Sequence, residues 1–145
     1  MKQLLPLTLL LSAFALIIAS CHKNNDDNSI SFQNLAGTYK VTGVVINDGS
    51  LSFNFYDSID VCQKDDLFEF NKDSTFDYVD AGMVCTPEGS FNSHWSLKGN
   101  VLTLPEVSQS GTAIVKSLDS KTLVLVSADS SYTPAVITTE TFTRQ

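Results

Sequence analysis

The chain has 145 residues, of which 43% are hydrophobic, and its 16 acidic residues against nine basic ones give a formal net charge of −7. This length suits one domain with a real core after removal of a short leader. Because an acidic protein is repelled by phosphate backbones, the charge excludes a nucleic-acid-binding protein and predicts no nucleic-acid partner.

The first 20 residues have the features of a targeting segment. Lys2 precedes an apolar run from Leu4 to Ile18, which is shorter than the roughly 20 residues that a membrane-spanning helix needs. The run ends in Ile-Ala-Ser followed by Cys21, which resembles the lipobox where signal peptidase II cleaves and the new N-terminal cysteine is acylated. We expect residues 1–20 to be a lipoprotein signal peptide and Cys21 to be lipidated. An ordinary secretory signal peptide with a chance cysteine is the alternative.

Residues 21–31 are mostly polar and show no periodicity, so we interpret them as a lipidated tether. Acyl chains on Cys21 would make the membrane the protein's partner, since two or more chains give stable anchoring. Asp26 and Asp27 resemble the surface-export signals of one group of Gram-negative bacteria, although a solvated linker explains them equally well. The expected location is the cell envelope, at the periplasmic face or the outer surface of the outer membrane.

Residues 32–145 read as one β-rich domain. The segments alternate apolar and polar residues, contain many Val, Thr, Phe and Tyr, and are broken by turn residues. A short helical turn fits Phe32 to Leu35, and no longer amphipathic helix is indicated. Strands are predicted near 38–46, 52–57, 67–71, 75–80, 90–97, 101–104, 113–118, 122–128 and 136–143.

The central hairpin fixes its own register. A loop of residues 72–74 places Phe70 opposite Phe76 and Phe68 opposite Tyr78, with all four aromatic side chains on one face. Such loops favour glycine at the left-handed position, which Ser74 occupies here.

Two further short turns join neighbouring segments, at residues 99–100 and at residues 119–121, the latter between strands of ambiguous register. Turns this short permit only antiparallel neighbours, since parallel strands need long crossovers. The predicted fold is therefore all-β, a small antiparallel up-and-down barrel of about eight strands, because closure removes exposed edges.

Cys62 and Cys85 are predicted to form a disulfide. Residue numbers of facing pairs in the central hairpin add up to 146, and those of the two cysteines to 147, so both lie near the hairpin's open end. Exported proteins favour such a bond. A reduced, buried pair of thiols is the alternative.

Several segments together resemble the lipocalin-like domains of bacterial lipoproteins. They are LAGTY (35–39), FNKDSTF (70–76), HWSLKGNVLTL (94–104) and FTR (142–144). The resemblance implies an up-and-down barrel whose base is closed by a late arginine packed across an aromatic ring. Those roles fall to Arg144 and Tyr39, although Tyr39 stands where the family usually has tryptophan. An exposed terminal arginine is the alternative.

The sequence contains few candidates for a catalytic or metal-binding site. No nucleophile elbow, zinc-protease motif or phosphate-binding loop is found, and His94 is expected to face solvent because it alternates with the inward Trp95. The pair Asp65 and Asp66 lacks the spacing of a calcium loop. We therefore predict no enzyme activity, no cofactor and no metal site.

The interior is where a function would lie, because an eight-stranded barrel either is filled by its side chains or holds one small ligand. The first hypothesis is a membrane-anchored lipocalin-like protein that binds a small apolar ligand. The alternative is a non-enzymatic interaction module of the cell envelope with a packed core and an unidentified protein partner. The candidate ligand-lining residues are Phe53, Phe55, Phe68, Phe70, Phe76, Tyr78, Phe91 and Trp95.

Overall fold

A computed structural model describes residues 29–104 and 111–145. The predicted signal peptide, Cys21 and most of the predicted tether lie outside the described residues. The described part begins with one helical turn, α1 (Phe32–Leu35), as the sequence predicts. Ser31 caps this turn, since its Oγ accepts a hydrogen bond of 3.2 Å from the Asn34 N–H.

Strands dominate the rest of the described chain, and two short 3₁₀ helices (Tyr56–Ser58 and Val61–Gln63) interrupt them. The strands are β1 (Gly37–Asn47), β2 (Ser52–Asn54), β3 (Leu67–Phe70), β4 (Thr75–Val79), β5 (Phe91–His94), β6 (Ser96–Lys98), β7 (Val101–Thr103), β8 (Thr112–Leu118), β9 (Thr122–Asp129) and β10 (Val136–Arg144).

The strands form one antiparallel sheet in the order β5-β4-β3-β1-β10-β9-β8-β7-β6, with β2 also paired to β1. Only Trp95 separates β5 from β6, so one continuous segment pairs with β4 at one edge of the sheet and with β7 at the other. The sheet therefore curls into a nearly closed up-and-down barrel. The fold class is as predicted, but residues 29–104 and 111–145 contain ten strands rather than about eight.

Two predicted strands are interrupted, and the first interruption adds a strand whereas the second only shortens one. The predicted strand 90–97 divides at Trp95, whose backbone N–H donates to the Ser74 carbonyl at 2.9 Å. The predicted strand 52–57 ends at Asn54, because the Asn54 side chain accepts a hydrogen bond of 3.1 Å from the Tyr56 N–H and starts a 3₁₀ turn. The prediction that Phe55 lies in a strand was therefore wrong.

The central hairpin has the predicted register. Phe68 pairs with Tyr78 and Phe70 with Phe76, and Ser74 adopts a left-handed conformation with φ of 73°. Phe70 and Phe76 are buried at 2% and 0% exposure. The pairing therefore places the aromatic face of the hairpin in the core.

Two β-bulges adjust which side chains face inward. Val41 and Val44 are three residues apart, and regular alternation would place them on opposite faces. An irregularity in the pairing of β1 after Val41 turns both inward, where both are buried. An irregularity after Val115 in β8 does the same for Val115 and Leu118. This bulge sets the register of the hairpin that the sequence leaves ambiguous.

Among the described residues, no helix has the length and apolar character that crossing a bilayer requires.

The disulfide between Cys62 and Cys85 is confirmed, with the two Cα atoms 5.3 Å apart. It closes a loop with a sequence separation of 23 residues. Substitution Cys62→Ser should lower the free energy of unfolding by about 2–4 kcal/mol in the chain-entropy account. Urea melts of the oxidised wild type and the variant measure the difference. Equal midpoints, or free thiols in the denatured wild type without reductant, would contradict the bond.

The left-handed residue of the central hairpin gives a second prediction. Ser74→Gly should raise the free energy of unfolding by about 0.5–1 kcal/mol, because glycine adopts positive φ without the Cβ penalty. Gly99 makes a matched control, since its φ is 61° and an added Cβ would meet no atom within 4 Å. Gly99→Ala should therefore lower stability by about the same amount. Denaturant melts in which both variants shift the same way would contradict this account.

Candidate functional site

One end of the barrel, which we call the base, is filled with aromatic side chains. Helix α1 covers it, and the ring of Phe32 stacks on that of Trp95 with centroids 4.2 Å apart. Trp95 also meets Phe70 edge-on at 5.3 Å, and its Nε1–H donates to the Asn71 carbonyl at 2.9 Å. Because ring faces and edges pack closely and the indole N–H is satisfied, the interior of the base has no room for a ligand. Beside Arg144 lies a cavity of about 270 Å³ with a polar lining of Gln33, Asn34, Asp119, Ser120 and Arg144.

The last strand closes the base through Arg144. Its Cζ lies 4.7 Å from the centroid of the Tyr39 ring, and its guanidinium donates to the carbonyls of Ala36, at 2.9 Å, and Asn34 and to the Tyr39 hydroxyl. Burial raises the pKa of Tyr39 to about 12, although the positive charge of Arg144 opposes the rise. A side chain at Gly37 would overlap the guanidinium. The arrangement is a structural clamp between the first and last strands.

The opposite end, which we call the mouth, is where β1 ends and β10 begins. Two cavities are found there, on different sides of the barrel. The first, the disulfide-side cleft, has a volume of about 370 Å³. Its lining residues are Gln63, Asp66, Phe68, Tyr78, Asp80, Cys85, Pro87, Gly89 and Phe91.

The two carboxylates of the disulfide-side cleft already have partners. Asp66 accepts hydrogen bonds from the Tyr78 hydroxyl and, at 3.2 Å, from the Ala81 N–H. Asp80 accepts from the backbone N–H groups of Cys85 and Gly89 at 3.0 and 2.9 Å. Burial and the bond to Asp66 both raise the pKa of Tyr78. These acids therefore hold the loop after β4 in place, and the aromatic wall of the cleft is the surface available to a ligand.

The second cavity, the inner pocket, has a volume of about 140 Å³ and is mainly apolar. It lies between the strands β7 to β10. Its lining residues are Leu102, Leu104, Thr112, Ala113, Leu125, Ser127 and Glu140.

Glu140 carries the only titratable side chain among the residues that line the inner pocket. It pairs directly with Val44 on one side and Leu125 on the other, both of which are buried. Facing residues in an antiparallel pair share a face of the sheet, so Glu140 points into the barrel. Burial raises the pKa of its carboxyl above the ordinary value of 4.5. The barrel thus has an acid on its inner face.

The eight predicted ligand-lining aromatics divide into three groups. Phe68, Tyr78 and Phe91 do line the disulfide-side cleft. Phe70, Phe76 and Trp95 are buried in the base and line neither cavity. Phe53 pairs with the inward Ile46 but keeps 47% of its surface exposed, and Phe55 keeps 41%. Three of the eight candidates thus line a cavity at the mouth, and the base uses three others for packing.

Glu140 was missed by the sequence reasoning, although a signal for it exists. It lies two residues before Phe142 in the last strand, and residues two apart share a face. Placing Phe142 in the core would have placed a carboxylate on the same inner face. Because Glu140 belongs to none of the catalytic motifs named above, such motifs do not point to it. Among residues 29–104 and 111–145, no group of three metal-binding side chains is found.

The partly buried carboxyl of Glu140 predicts a pH-dependent stability. Because the pKa of Glu140 is raised in the folded state, the unfolded chain releases this proton first as the pH rises, and stability falls between the unfolded and folded pKa values. Glu140→Gln should therefore melt a few degrees higher than wild type at pH 7 and at nearly the same temperature at pH 4. Calorimetry at both pH values tests this, with the exposed Glu88→Gln as control. A lower melting temperature for Glu140→Gln at pH 7 would contradict it.

Comparison with protein families agrees with this architecture. A family model described as a lipocalin-like domain matches residues 35–125, from the end of α1 into β9. Comparisons with curated proteins and with solved structures gave no significant match. The matched region contains the segment joining β5 to β6, which closes the barrel, and most of the residues of both cavities. Since this match covers more than half of the chain, the protein belongs to the family of lipocalin-like domains.

Proposed function

We propose that this protein binds a small, largely apolar molecule at the mouth of its barrel and acts by binding rather than by catalysis. The observation that carries the proposal is the difference between the two ends. Aromatic rings fill the interior of the base, where the remaining cavity beside Arg144 has a polar lining, whereas the mouth keeps cavities of about 370 and 140 Å³ with apolar walls. Ligand pockets usually begin at about 300 Å³ and combine apolar walls with a few polar groups. The disulfide-side cleft meets that description.

We further propose that the domain is held at the outer membrane by acyl chains on Cys21. The described chain enters the fold beside α1, which covers the base. Residues 21–28 span at most about 28 Å when fully extended. A chain anchored at Cys21 would therefore join the barrel at the base, and the mouth would be the end farther from this attachment. Such an arrangement would leave the mouth open to a ligand from the aqueous side.

A second candidate function is contact with another envelope protein through the mouth. Several loops there expose large apolar side chains: Leu51 at 69%, Val61 at 67%, Tyr132 at 60% and Met83 at 59%. Contact with a partner protein would remove these apolar side chains from water. This candidate predicts binding that does not depend on either cavity, which separates it from the first.

The test of small-molecule binding uses the full lipidated chain in phosphatidylcholine nanodiscs, titrated calorimetrically with indole and with empty nanodiscs as the blank. Gly89→Leu should fill the disulfide-side cleft, since a Cβ at Gly89 would lie 3.8 Å from the Tyr78 ring. Ala113→Leu should fill the inner pocket. We expect wild type to bind indole and one of these variants to lose at least tenfold in affinity.

Ile114→Phe is the matched control for the filling variants, because Ile114 is 42% exposed beside Ala113. It should leave the indole affinity unchanged. A wild type that does not bind indole would contradict a ligand site in these cavities. So would two filling variants that both bind indole as tightly as wild type.

The anchor has its own prediction. Cys21→Ser should abolish incorporation of labelled palmitate and move the protein from the membrane pellet to the soluble or precursor fraction, because the thiol carries the diacylglyceryl group. Cys62→Ser is the control and should keep the label. Palmitate labelling that survives in Cys21→Ser would show that this cysteine is not the anchor.

A further inference from the structure

The inner pocket combines an apolar wall with one carboxylate. Three of its lining residues, Leu102, Leu104 and Leu125, are buried at 1%, 7% and 5% exposure. Glu140 enters from β10 and lies opposite Leu125 in the sheet. Ser127 and Thr112 supply the remaining polar side chains, and Glu140 is the only charged residue of the lining.

The Glu140 carboxylate has no partner among the residues that the structure describes. No hydrogen bond or ion pair to it is found there, whereas the acids of the disulfide-side cleft, Asp66 and Asp80, are each held by two donors. Glu140 is partly buried, and a carboxylate that loses part of its hydration without gaining a donor is unfavourable. Burial raises the pKa of this carboxyl, because loss of hydration disfavours its charged form. A ligand with a charged N–H group would stabilise the charged form by donating a hydrogen bond.

We propose that the inner pocket binds a small organic ammonium ion, with its hydrocarbon part against Leu102, Leu104 and Leu125 and its N–H groups on Glu140. This inference rests on the proposed ligand-binding function and names the chemical class of the ligand. A hydrogen bond between two charged groups is about twice as strong as a neutral one. The negative net charge of −7 also attracts cations and repels organic anions.

The size of the pocket limits the hydrocarbon part. Its volume of about 140 Å³ is close to that of an apolar cavity of about 150 Å³ that accommodates benzene. A ring or chain of about six carbons with one amino group fits this space. Larger amines would have to extend from the pocket into the mouth.

The experiment compares three probes of one shape: benzylamine, benzyl alcohol and benzoate. Each is titrated calorimetrically at pH 7.5 into the full lipidated chain in phosphatidylcholine nanodiscs, with empty nanodiscs as the blank. Wild type should bind benzylamine about tenfold to hundredfold more tightly than benzyl alcohol, because the ammonium group meets the carboxylate. Benzoate should bind more weakly than benzyl alcohol.

Variants identify the residue responsible. Glu140→Gln keeps the shape of the side chain and should remove the preference for benzylamine while leaving benzyl alcohol within about twofold of its wild-type affinity. Glu88→Gln removes the same charge from an exposed loop at the mouth and should leave the preference intact. Ala113→Leu should weaken both probes by occupying the pocket.

Each failure has its own meaning. Equal binding of benzylamine and benzyl alcohol by wild type, or a preference that survives in Glu140→Gln, would overturn the inference and leave ligand binding intact. Equal losses of both probes in Glu140→Gln would show that Glu140 only maintains the pocket, which also overturns it. If wild type bound neither these probes nor indole, the proposed function itself would fail.

Discussion

The packing of Trp95 is the contact on which the rest of the barrel depends. Its indole lies between the Phe32 ring and the edge of Phe70, and its backbone interrupts the segment that pairs with β4 before it and β7 after it. Burying a tryptophan favours this bend, because a ring of this size removes a large apolar area from water. One side chain therefore both fills the base and brings the two edges of the sheet together. The Arg144 clamp joins the first and last strands at the same end.

Filling one end with rings has a consequence for the other end. Strands of these lengths continue beyond the base, and small residues take part in lining both cavities there: Ala113 and Ser127 in the inner pocket, and Gly89 in the cleft. Small residues on inner faces leave space that the base does not have. The Glu140 carboxylate places a hydrogen-bond acceptor on the wall of the inner pocket. The capacity for a ligand therefore follows from where large and small inward residues fall along the strands.

The sequence predicted those features that depend on local alternation. The register of the central hairpin, the turn at Ser74, the helical turn α1 and the disulfide all follow from patterns within a few residues of each other or from one hairpin axis. Features that break the alternation could not be predicted in this way. The bulge after Val41 changes the face of later residues, and the break at Trp95 depends on a contact with Phe32, far away in sequence. The division of the aromatic residues between base and cleft depends on the same long-range packing.

The loop after β4 at the mouth lies beyond the aromatic contacts of Tyr78 with Phe68 and Phe91, so it needs another source of order. The disulfide joins the segment before β3 to the loop after β4, and Asp80 binds two backbone N–H groups of that loop. A covalent bond and carboxylate contacts fix the cleft wall without filling the cleft, whereas additional large side chains would stabilise the loop only by occupying the space. The inner pocket has no such bond, and partial burial of the Glu140 carboxyl, which raises its pKa, disfavours its charged form. Donation of a hydrogen bond from a ligand would offset that cost, so ligand affinity and stability of the mouth are expected to rise together.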